Sequence, residues 1–244
     1  MRNWHGKRYW IVGASAGLGR ALALEISRTG AEVVLSARDE AALETLAASL
    51  PGPATIAPMD VADAASVAKA AERVGEVDGM VYLAGVYWPM TASGFDGDKA
   101  AEMIDINLTG AARVLGHVLP AMVARDRGHI VLLGSLSGFR GLPGANGYGA
   151  SKAGIMSLAE TLYADLRGSG VDVQLVNPGF IRTRLTDKNN FQMPFLMEPE
   201  DAARLTLDHM QTRDFARNFP RHFAALFRLG QFLPDWAYYR LFGK

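Results

Sequence analysis

The 244-residue sequence predicts a single α/β domain built on a parallel β-sheet. Two observations carry that expectation. Short apolar runs of strand length alternate with amphipathic windows of helical period along the chain. No internal repeat, low-complexity tract or linker divides it, and α/β folds commonly reach this size undivided.

Residues 9–12 are an apolar run that reads as a buried strand, followed by a Gly-rich turn and a helical window at 18–29 that Gly30 stops. Residues 32–36 form the second strand, and Asp39 caps a helix whose apolar face is Leu43, Leu46, Ala47 and Leu50. A weaker third strand covers 55–58, and Asp63 caps a helix carried by Val67, Ala70, Ala71 and Val74. The fourth strand is expected at 78–84 and the fifth at 129–134, with one long helical region, 97–124, between them. A helix over 148–167 and a sixth strand over 171–176 follow. Pro199 suits the first turn of another helix, whose positive end Glu200 and Asp201 complement. Residues 215–219 supply a short seventh strand.

Composition excludes several function classes. Lys+Arg and Asp+Glu balance at 25 each, so no overall field recruits nucleic acid. The absence of cysteine rules out a disulfide framework, a thiol nucleophile and a zinc–thiolate centre, and no metal is expected. Residues 2–8 are too polar for a secretory signal, and no window approaches the ~18 apolar residues of a membrane span. A cytoplasmic protein is expected.

Chemistry is concentrated in a few motifs. Gly13-Ala-Ser15-Ala16-Gly17-Leu18-Gly19 follows the first strand and opens a helix. Glycines at that junction let the backbone approach a pyrophosphate, which the helix N–H groups and dipole stabilise. The second strand ends without an acid to bind ribose hydroxyls, and Arg38 stands there instead. A guanidinium can grip a 2′-phosphate and stack on adenine, so NADP(H) is favoured, with NAD(H) the alternative. Tyr148 and Lys152, four residues apart on a helix, share one face. A lysine so placed can lower the tyrosine pKa, and the phenol can then pass a proton to or from a substrate oxygen.

Together these motifs resemble the short-chain dehydrogenase/reductase family over roughly residues 7–215. The resemblance implies a doubly wound, seven-stranded Rossmann fold. It further implies Asp60 and Val61 at the adenine, Asn107 as a catalytic asparagine that orders a water beside Lys152, and Ser135, thirteen residues before Tyr148, on the substrate oxygen. Ala84, Gly85, Pro178 and Gly179 match cofactor positions, and Ile181 and Thr183 match those that hold the carboxamide, while Lys152 binds the nicotinamide ribose. Ser137 is a rival to Ser135 that the spacing disfavours. One departure is Tyr82-Leu83-Ala84-Gly85, where the family carries Asn-Asn-Ala-Gly, so support of the central sheet must come from elsewhere. A carbonyl or secondary alcohol is the implied substrate, and a homo-oligomer, commonly a homodimer, the implied assembly; the apolar residues of 184–197 suit an apolar substrate, of which a lipid-like one is an example. A non-catalytic dinucleotide-binding sensor is the rival reading.

Residues 1–220 are assigned to the catalytic domain, including a lid at 184–197. Trp88, Phe139, Leu142, Phe191, Met193 and Phe195 are the candidate pocket residues, with Leu196 and Met197 beside them. Residues 221–244 form an unusual amphipathic, aromatic and basic extension. Phe223, Leu226, Phe227 and Gly230 share one helical face that Leu229 and Phe232 widen, with Arg221, Arg228, Arg240 and Lys244 supplying charge. That segment is expected to pack on the domain, on a partner subunit, or peripherally on a membrane surface.

Overall fold

The computed structural model describes residues 2–243, so Lys244 lies outside the described residues. Its sheet has seven parallel strands: β1 (Arg8–Val12), β2 (Glu32–Ser36), β3 (Ala54–Ile56), β4 (Gly79–Tyr82), β5 (Gly128–Leu133), β6 (Val171–Pro178) and β7 (Ala216–Phe219). Their order is β3-β2-β1-β4-β5-β6-β7, the doubly wound arrangement in which chain direction across the sheet reverses between β1 and β4.

Alternation along the strands decides what each face covers. Tyr9 and Ile11 point to the side packed by α1 (Gly17–Arg28), α2 (Glu40–Ser49) and α7 (Pro199–Met210). Trp10 and Val12 point to the other side, covered by α3 (Ala64–Val74), α5 (Gly110–Ala124) and α6 (Asn146–Asp165). Both faces are buried, which is why the strands read as continuous apolar runs. The expected caps are in place: Asp39 accepts from Ala42 N at 3.0 Å and Asp63 from Ala65 N at 2.9 Å.

One expectation fails. The 97–124 region is not a single helix: α4 (Gly97–Ile104) and α5 are joined through a π-helical turn, Asp105–Thr109. The widened turn aims Asn107 into the protein, where it is fully buried. Tyr82 holds the turn, its hydroxyl donating to the Ile106 carbonyl at 2.6 Å. Tyr82 thus supplies the bracing that Leu83 cannot. Leu83 packs instead against the apolar cluster on the α1 face.

The C-terminal segment forms α8 (Arg221–Gly230) and α9 (Asp235–Phe242). Ala224 and Phe227 are buried against Leu136, while Tyr238 is buried with its hydroxyl donating to the Gly141 carbonyl at 3.1 Å. Arg140 clamps the two helices, donating to Leu233 O at 2.6 Å, pairing with Asp235 and lying 4.1 Å over the Tyr238 ring. The expected apolar face is therefore split. Phe223, Phe227 and Gly230 turn inward, whereas Leu226, Leu229 and Phe232 are exposed.

Candidate active site

A cavity of about 390 Å³ opens over the C-terminal strand ends at the switch between β1 and β4. Of the residues expected around a dinucleotide, Gly13, Ser15, Ala16, Gly17, Leu18, Gly19, Arg38, Asp60, Val61, Ala84, Gly85, Tyr148, Pro178, Gly179, Ile181 and Thr183 all line it. Lys152 alone stands behind the wall. Sequence reasoning missed Arg184, Leu185 and Thr186, which close the far side.

The residues present fit a pyrophosphate. Gly13 has φ +95°, and a Cβ there would come within 2.5 Å of Ala84 N. Gly17 has φ +52°, and its Cβ would meet Thr183 Cγ2 at 2.8 Å. Only glycine lets the turn pack this closely against the loop after β4 and against Thr183 while its backbone lines the cavity. Helix α1 starts with no side-chain cap and no acid in its first turn, leaving its N-terminal N–H groups for an anion. At the adenosine end Arg38 is exposed and makes no hydrogen bond or ion pair among the described residues. Ser36, beside it, is consumed internally: it accepts from Trp10 Nε1 at 2.8 Å and donates to Ala57 O at 2.6 Å.

A second cavity, of about 640 Å³, adjoins the first. The two share Ser135, Tyr148, Gly179, Leu185 and Thr186. Ser135 and Tyr148 thus stand where the dinucleotide space meets the second space. Ser135 Oγ accepts from Ser137 N at 3.2 Å and from Ser137 Oγ at 3.0 Å, which leaves its own proton free to donate. Ser137 lines only the second cavity and orients its neighbour. Tyr148 packs edge-on against Tyr87 at 4.9 Å, an aromatic that the sequence reading missed.

Lys152 is buried and donates to Leu133 O at 2.9 Å, with Nζ 5.7 Å from the Tyr148 ring centre. Burial pushes its pKa down to about 8, so it stays largely charged at neutral pH. The expected lowering of the tyrosine pKa does not appear. Burial pushes Tyr148 up to about 12, against a smaller lowering by the Ser135 hydroxyl, while the Lys152 ammonium donates to Leu133 O. Asn107 is tied into the protein by its whole side-chain amide. Its Nδ2 donates to Val86 O at 3.0 Å and Ser151 Oγ at 2.9 Å, and Oδ1 accepts from Val86 N at 2.8 Å. Both amide hydrogens are committed, so only a remaining Oδ1 lone pair could order water.

Of the candidate pocket residues, Leu142 and Phe191 line the second cavity, while Trp88, Phe139, Met193 and Phe195 do not. Trp88 lies under Lys188, whose Nζ is 4.7 Å from its ring and donates to Tyr87 O at 2.8 Å. That contact joins residues 188–189 to the loop after β4, as does the Tyr87 hydroxyl donating to Asn189 Oδ1 at 3.1 Å. Phe139 packs into the core beside Leu136, Met193 sits with its sulfur 3.2 Å from Asn189 Nδ2, and Phe195 is exposed against Phe223. The aromatic wall comes from Phe180, Phe223 and Phe227 instead, two of them from α8.

Comparison with known proteins agrees with this geometry. The family model described as short chain dehydrogenase matches residues 7–193. An uncharacterized oxidoreductase of Myxococcus xanthus is 40% identical over 234 residues, covering 92% of each chain. A short-chain dehydrogenase from Sphingobium yanoikuyae, solved with NADPH, superposes with a TM-score of 0.83 at 28% identity, covering 98% of this chain and 96% of that one. A Burkholderia phymatum member solved with NAD gives 0.84 at 28% identity, covering 94% of each. This chain therefore belongs to the short-chain dehydrogenase/reductase family and is an NAD(P)-dependent oxidoreductase.

Proposed function

We propose that the protein interconverts a carbonyl and a secondary alcohol on an apolar substrate, with NADP(H) as the preferred cofactor and Tyr148 as general acid/base. The observation that carries this reading is the sharing of Ser135 and Tyr148 between the two cavities. A bound nicotinamide supplies or takes the hydride in this chemistry. The chain's own residues do the rest. The glycine turn and α1 N-terminus seat the pyrophosphate, with Thr183 and Ile181 beside them. Ser135 donates to the substrate oxygen and stabilises the charge that builds on it in reduction. Tyr148, protonated at neutral pH, gives that oxygen its proton and accepts one back in oxidation. Lys152 holds positive charge behind the site and is the candidate donor to the nicotinamide ribose. Phe180, Phe191, Phe223 and Phe227 exclude water and favour an apolar substrate.

NADP(H) preference rests on the unpaired Arg38 and on Asp39, one of whose oxygens is engaged as a helix cap. The test is turnover of a panel of apolar carbonyls with NADPH and NADH in the wild type and in Arg38→Ala. Loss of the charge should weaken NADPH roughly tenfold or more and leave NADH nearly unchanged. Equal losses for both would remove the phosphate contact and favour NAD(H). No turnover with any carbonyl or alcohol would favour the cofactor-binding sensor.

A further inference from the structure

We propose that the outer face of α8 and α9 docks on an anionic lipid bilayer. The C-terminal segment has two apolar sides. The inward side, Phe223 and Phe227, walls the substrate cavity. The outward side packs on nothing: Leu229 is 69% exposed, Phe232 84% and Trp236 73%, with Leu226 and Leu233 beside them. Exposed apolar side chains that cluster on one short segment mark an interaction surface.

Charge selects the occupant. The whole chain is neutral, yet residues 221–243 carry Arg221, Arg228 and Arg240 against a single acid, Asp235. That acid is already paired with Arg140. On α8 the arginines at 221 and 228 lie one stripe from Leu229, and on α9 Trp236 and Arg240 are one turn apart. A twofold contact between copies would bring two patches of the same positive charge together, an arrangement that like charges oppose. An anionic headgroup layer accepts all three while Phe232, Trp236 and Leu229 enter the acyl boundary. Helices of ten and eight residues are too short to cross a bilayer, so the segment lies in the interface. On its inward side the segment meets the 184–197 stretch, where the exposed Phe195 lies 5.6 Å from Phe223, the two rings tilted. The same short segment thus walls the second cavity on one side and carries the docking face on the other.

The test uses the full chain and two vesicle types, phosphatidylcholine alone and with about one-third phosphatidylglycerol, read by flotation. The wild type should float with the anionic vesicles. Phe232→Ser/Trp236→Ser should reduce the bound fraction about tenfold, and Arg228→Gln/Arg240→Gln should abolish the preference for anionic lipid. All four side chains are exposed, so melting temperatures should match the wild type. In the unsubstituted protein, Trp emission should shift to the blue on anionic vesicles, and Trp236→Phe should remove the shift. Absence of flotation and of the shift would overturn the proposal. So would binding that both double variants retain, or a dimer that Phe232→Ser/Trp236→Ser splits without any vesicle binding.

Discussion

Replacing Asn107 by alanine should cost about 3 kcal/mol of stability, because its amide makes three hydrogen bonds worth ~1 kcal/mol each. Two of the three hold Val86, at the loop that follows β4. The third holds Ser151, whose hydroxyl donates to Tyr148 O at 2.8 Å, so Asn107 ties that loop to the helix carrying Tyr148 and Lys152. For a chain of this size ~1 kcal/mol moves the melting temperature by about 2–4 °C, which predicts a fall of roughly 6–12 °C by circular dichroism. Asn107→Asp is the sharper companion. It keeps the acceptor for Val86 N but places carboxylate lone pairs against Val86 O, so it should destabilise at least as much as alanine despite its shape. A shift under about 2 °C for Asn107→Ala, or an aspartate variant as stable as wild type, would refute the assignment.

Two further outcomes follow from buried groups. Gly13→Ala places a Cβ 2.5 Å from Ala84 N at φ +95°, so isothermal titration should show dinucleotide affinity reduced more than about tenfold. Unchanged affinity would contradict the cradle. His129 is buried between Tyr9, whose hydroxyl donates to Nδ1 at 2.9 Å, and Gln174, which accepts from Nε2 at 2.8 Å. Burial foremost, with the charge of Arg2, depresses its pKa from 6.5 to about 3. The unfolded chain therefore binds a proton that the folded one refuses. This stability is fully present above pH 6.5 and is lost toward pH 3, by at most ~1.4 kcal/mol per unit. Urea unfolding across that range should show a shallower slope for His129→Gln than for the wild type; identical slopes would count against it.

Much of the fold was legible because its signals are local. Strands covered on both faces read as apolar runs, and a glycine turn between strand and helix betrays a positive φ. The π-helical turn was not legible, since one extra residue in the turn leaves the apolar stripe from Ile106 to Val114 nearly continuous. Of the site, the glycine turn and Arg38 could be named from their places after the first and second strands, and the family resemblance supplied the other residues of the dinucleotide cavity. The pocket could not. Whether Trp88 faces the cavity depends on Lys188, and whether Phe223 does depends on how α8 folds back over Leu136. Helical spacing places Lys152 on the face of Tyr148 but says nothing of the burial that raises the tyrosine pKa or of Leu133 O, to which the ammonium donates.

The central claim is that the Tyr148 hydroxyl moves the proton at the junction of the two cavities. Tyr148→Phe removes that hydroxyl alone, and single-turnover rates with NADPH and an accepted carbonyl read the consequence directly. The rate should fall by about 10²–10⁴ while the variant still binds NADPH and melts as the wild type does. A variant that reduces the carbonyl at the wild-type rate would contradict the account.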